Sequence, residues 1–132
     1  MEHLMNTENI IFESQKTELL VWKLKVTAGR LELDLLAFRQ GNDLQIMFYG
    51  GKPHLGAIAI AEPGASAQCI VLPGHKEGPL AQEMADNLAT ALNCTVSVAC
   101  GIHYDKINHD EIDLVLGCAD ELCRKLLDCL RG

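Results

Sequence analysis

No stretch of this 132-residue sequence is apolar for long enough to cross a bilayer, and positive charge is in short supply. Eighteen Asp and Glu stand against eleven Lys and Arg, for a formal net charge of -7. A surface of that sign repels phosphate backbones and anionic lipid. Nucleic acid and membrane are therefore excluded as expected partners, while a local basic pocket for one small anion stays open. A CxxC pair is also missing. Cys69, Cys94, Cys100, Cys118, Cys123 and Cys129 are scattered, and four of them sit inside apolar segments. The first 20 residues carry Glu2, Glu8, Glu13, Lys16 and Glu18 and hold no secretory hydrophobic region. Reduced thiols in a cytoplasmic protein are the expectation.

The usual signatures of catalysis are absent too. There is no Walker A segment, GxGxxG, GxSxG elbow or HExxH. Ser14, Ser66 and Ser97 lack any nucleophile setting. Cys100 and His103 are three apart, which on a strand points their side chains to opposite faces unless the chain turns at Gly101. Cys100 reads better as a small buried hydrophobe, and Cys123 as core packing on a helix. These absences favour an accessory or binding protein over an enzyme.

What the sequence does contain is an ordinary globular balance, 48% hydrophobic and 22% charged. A chain this long buries roughly two thirds of its unfolded surface in one core. Residues 1-9 are largely polar and read as a tail, and 10-132 as a single domain. β structure is favoured from Ile10 to Phe48. Leu20, Trp22, Leu24 and Val26 alternate with polar or outward positions, and Leu31, Leu33 and Leu35 do the same after the turn Ala28-Gly29-Arg30. Gln40-Gly41-Asn42-Asp43 is the next turn, followed by Leu44, Ile46 and Phe48. Leu55 to Ala61 is a nearly continuous apolar run, as expected of a strand covered on both faces, with Cys69-Leu72 as its hairpin partner. Pro79 suits the first turn of a helix near 79-92, closed by Asn93-Cys94. Thr95-Cys100 is a further strand. Asn108 and Glu111 form the pattern of a capping box at the head of a last helix, with His109 in its first turn. The predicted class is α+β, a mostly antiparallel sheet of about six strands with two helices packed on one face. One sheet face would then be left for a second copy to cover, so a homo-oligomer, in the simplest case a symmetric dimer, is expected.

Three of the five histidines fall in short breaks beside glycine: His54 after Gly50-Gly51-Lys52-Pro53, His75 in Pro73-Gly74-His75-Lys76-Glu77, and His103 in Gly101-Ile102-His103-Tyr104-Asp105. Each alone reads more readily as a surface loop residue. Together they outline a cleft of imidazoles with Lys52, Lys76, Glu77 and Asp105, in which lysines and backbone N-H groups would attract an anion. A divalent cation on imidazole, Glu77 and Asp105 is a second possibility without a short ligand motif to support it, and a small metal-dependent enzyme would be its consequence.

The ordered trio Lys52-Ala59, Pro73-Glu77 and Ala99-Asp105, with a helix between the second and third, resembles a family of prenylated-flavin chaperones. These are the small D subunits that accompany gallate and hydroxyarylic acid decarboxylases. The trio is also similar to prokaryotic relatives of proteasome assembly chaperone four. The first resemblance implies a non-catalytic carrier of prenylated FMN, with a flavin prenyltransferase and a prenylated-FMN-dependent decarboxylase as partners. It places Gly50, Gly51, Lys52 and Lys76 on the phosphate. His54, His75 and His103 fall at the ring edge, the phosphate or a phosphate-bound cation, with Glu77, Tyr104 and Asp105 beside them. The second resemblance implies an assembly or interaction module. Aromatic residues are only 5% of the chain, so few can stack on a flavin; Tyr49 and Tyr104 are the best placed.

Overall fold

The computed structural model describes residues 21-131, in the order β1 (Val21–Ala28), β2 (Leu31–Gln40), β3 (Asp43–Gly51), β4 (Ala57–Ala61), β5 (Gln68–Val71), α1 (Gly78–Leu92), β6 (Val96–His103) and α2 (His109–Arg131). The predicted tail and the strand-favouring stretch from Ile10 to Leu20 lie outside the described residues. The fold is α+β, as expected. Six strands form one sheet in the order β1-β2-β3-β6-β4-β5.

Alternation decides which side of each strand is covered. Leu35, Phe48, Cys100 and Ala57 are register partners across four strands, as are Ala37, Ile46, Val98 and Ala59. All eight are at most 2% exposed. Full burial of side chains such as Phe48 and Leu35 contributes about 1.5–3 kcal/mol each. α1 lies over β4, β5 and β6, and α2 over β1 and β2. Alanines on both sides, Ala57, Ala59 and Ala61 in β4 with Ala81, Ala85 and Ala89 in α1, let the helix approach closely. α2 opens with the predicted capping box: Asn108 N-H donates to Glu111 Oε1 at 3.2 Å and Glu111 N-H to Asn108 Oδ1 at 2.8 Å.

One expectation is corrected here. β4 is not covered on both faces: Ile58 and Ile60 point away from the helices and are 44% and 48% exposed. The run looks continuous in sequence because its inward positions are alanines, which are apolar but small. The hairpins account for every antiparallel neighbour except one. β6 inserts between β3 and β4, parallel to β3 and antiparallel to β4. That parallel pairing sets Gly51 opposite His103, so the carboxyl ends of β3 and β6 finish side by side.

Candidate functional site

Three connections meet at this end of the sheet. The link from β3 to β4 must step across β6, because β6 lies between them. It crosses at Gly101, where an added Cβ would sit 1.7 Å from the His54 carbonyl oxygen. Only glycine permits that crossing. The link is tied on both sides, Lys52 N-H donating to His103 O at 3.1 Å and Gly56 N-H to Cys100 O at 2.9 Å. Leu72 N-H donates to Gly56 O at 2.9 Å, which brings the β5–α1 connection alongside. Gly56 has its own reason: a Cβ there would lie 2.3 Å from Glu77 Oε2 and 2.8 Å from His75 Nδ1.

The three imidazoles therefore converge. The His54 ring centroid lies 5.1 Å from that of His75 and 6.5 Å from that of His103. Glu77, at the start of α1, sits beneath them with its side chain only 10% exposed. Its Oε1 is 3.0 Å from His54 Nε2 and also accepts from Ile102 N-H at 3.4 Å, while Oε2 faces His75 Nδ1 at 3.5 Å. His54 Nδ1 is 2.9 Å from the Lys52 carbonyl oxygen and donates to it. That bond, more than the neighbouring Glu77 carboxylate, raises the His54 pKa against the opposing effect of burial. Burial pushes the Glu77 carboxyl upward most strongly, but its own backbone N-H, His54 and Ile102 N-H together outweigh it and hold the acid below its ordinary range. His103 Nε2 contacts Asp105 Oδ1 at 3.1 Å, and Lys52 Nζ is 3.9 Å from Asp105 Oδ2.

A cleft of about 890 Å³ opens from this cluster toward α2. Lys52, His54, His75, Lys76, Glu77, His103 and Tyr104 line it, together with Gly74 and Lys106. Its far wall is apolar, built from Leu80, Ile102, Ile107, Ile112, Val115 and Leu116. The Tyr104 hydroxyl is already committed, accepting from Glu32 N-H at 2.7 Å and donating to Glu32 O at 2.8 Å. Asp105 stands outside, bracing His103. Gly50 and Gly51 do not line the cleft either. Gly50 is packed where a Cβ would meet Leu33 and the Glu32 carbonyl, and Gly51 adopts φ 72 against His103. Strand packing demands glycine at both positions. Tyr49 pairs with Asp34 and Gly101 inside the sheet and is not a lining residue.

Sequence reasoning missed the apolar wall, Gly74 and Lys106. Ile112 and Leu116 are 41% and 43% exposed beside buried Val115. The available signal was an apolar stripe on α2 wider than packing on the sheet requires. Lys106 holds a left-handed φ of 53, a bend that a lone lysine does not announce.

Cleft and topology together define a small α+β protein with a basic, imidazole-rimmed pocket at one sheet end. The fold is shared with a chain of a chaperone complex for yeast 20S proteasome assembly, at a TM-score of 0.54 and 16% identity, over 86% of this chain and 97% of that one. No curated protein matches the sequence. Residues 27–131 match the LpdD-like prenylated flavin chaperone domain, and the chain belongs to that family.

Proposed function

We propose that the cleft binds prenylated FMN and that the protein delivers it to a partner decarboxylase. The observation that carries this reading is the placement of Lys52, Lys76 and Lys106 around one mouth of a chain whose net charge is -7, above an apolar wall. The cleft volume of about 890 Å³ lies inside the range of roughly 300–1,000 Å³ typical of small-molecule sites. Lysine ammoniums are suited to a phosphate as point charges. Ile107, Ile112, Val115 and Leu116 exclude water from whatever lies against them, which suits an oxygen-sensitive ring. His75 and His103, each with one ring nitrogen uncommitted, supply hydrogen bonds at the edge, and His54 braces His75 through Glu77.

In this reading the protein is a cytoplasmic accessory rather than a catalyst, residues 10-132 form one domain, and the ligand comes from a flavin prenyltransferase. A second copy covers the outer sheet face. There Leu36, Met47, Ala99, Ile58 and Ile70 are register partners across five strands, an apolar row with Ile70 74% exposed. Anaerobic titration with reduced prenylated FMN tests the reading. Saturable micromolar binding that weakens at least tenfold in Lys76→Ala and His103→Ala is expected; no binding, or binding indifferent to both changes, overturns it.

A further inference from the structure

We propose that His54, His75 and Glu77 form a site for one divalent transition cation of the zinc class, at the inner end of the cleft. One nitrogen from each imidazole and one carboxylate oxygen lie within 4.8 Å of one another. Donors around a tetrahedral ion with bonds of about 2.0–2.1 Å stand roughly 3.3 Å apart. Glu77 approaches the two rings through different oxygens, Oε1 at 3.0 Å from His54 Nε2 and Oε2 at 3.5 Å from His75 Nδ1, so its carboxylate lies within coordinating reach of both.

Hydrogen bonding points the same way. The Lys52 carbonyl takes the proton on His54 Nδ1, which leaves the Nε2 lone pair aimed at a carboxylate oxygen. Two acceptors face each other there unless a cation lies between them. A second proton on His54 resolves that contact alone. It leaves Glu77 Oε2, buried and with no hydrogen-bond partner, unaccounted for. A metal ion bound by Oε2 and both rings gives that oxygen its partner, while Oε1 keeps the Ile102 N-H. An imidazole whose other nitrogen is fixed by a backbone carbonyl is the arrangement metal-ligating histidines adopt. Two imidazoles with one carboxylate select zinc-class ions over magnesium or calcium, which prefer oxygen alone. Gly56 keeps the space beside Glu77 and His75 clear, since a Cβ would intrude within 2.3 Å of the acid. Three protein donors leave a fourth position directed into the cleft, open to water or an anionic oxygen.

The test uses the full chain, stripped with chelator and kept reduced, titrated with zinc chloride by calorimetry and with cobalt chloride by visible absorption. No flavin is present, so the outcome is separate from that of the cofactor titration. Saturation at one equivalent is expected, with cobalt bands lacking thiolate charge transfer. Glu77→Gln and His75→Ala, each checked for native circular dichroism, should weaken binding at least about tenfold. Three results would overturn the proposal: no saturable binding, affinity unchanged in both variants, or a thiolate band that disappears in Cys129→Ser.

Discussion

Replacing Gly101 with alanine tests whether the strand crossing builds the site. The new methyl would meet the His54 carbonyl at 1.7 Å, whereas real Cβ contacts do not fall below 3.0 Å, so the His54 backbone must retreat by about 1.3 Å. It cannot retreat freely, because Lys52 N-H and Gly56 N-H hold the same link to β6 on either side. Overpacking a tight site costs about 1–3 kcal/mol, and losing one of those hydrogen bonds adds about 1 kcal/mol. The sum, about 3 kcal/mol, corresponds to a melting point lower by roughly 10–15 °C for a chain of this size. Cofactor binding should weaken as well, since the shift pulls His54 away from Glu77. Gly117→Ala is the control. It lies in α2 with nothing within 4 Å of its added Cβ, and alanine there should stabilise by about 0.5–1 kcal/mol. Urea and thermal unfolding followed by circular dichroism read both variants. A Gly101→Ala protein as stable as its parent, with unchanged binding, would refute the crossing as the element that positions His54.

Asn108→Ala removes one arm of the capping box and should destabilise by about 1 kcal/mol in urea unfolding. Acid unfolding should depend on Glu111, whose carboxyl is held below its ordinary value first by the Arg30 hydrogen bond and then by the Asn108 N-H. Its contribution is complete above the ordinary carboxylate pKa and disappears as pH falls through the lowered native value, so Glu111→Gln should flatten that limb of the stability–pH curve. Burial pushes the Cys100 thiol up to about 12, whereas Cys129 is exposed. Maleimide at neutral pH should therefore label Cys129 promptly and Cys100 only on unfolding, as peptide mapping by mass spectrometry would show.

Local patterns carried much of the architecture in the sequence. Alternation at Leu31, Leu33 and Leu35 gave β2, and the spacing of Asn108 and Glu111 marked the head of α2. The glycine-flanked breaks identified the three histidines that meet. Non-local choices were not legible. No turn signals that β6 will pair with β3 some 50 positions earlier in the chain, because neither strand's composition specifies its neighbour. Strand pairing also explains why Gly50 and Gly51 do not line the cleft. Viewed along the chain they resemble an anion-binding bend, and only the pairing with β2 and β6 shows that the space beside them is filled. Ile58 and Ile60 were misread because alanine hides alternation, being apolar whichever way it faces. The cleft wall went unnoticed since Ile112 and Leu116 look like ordinary helix core until the sheet's edge is known.

The late position of β6 in the chain also sets an order of assembly. Until about residue 103 has left the ribosome, β1, β2 and β3 can form only a meander, and β4 with β5 only an isolated hairpin, a unit of marginal stability in water. The strand that joins these halves follows both of them in the chain. Nascent chains therefore carry open sheet edges and an unfinished pocket until β6 has emerged.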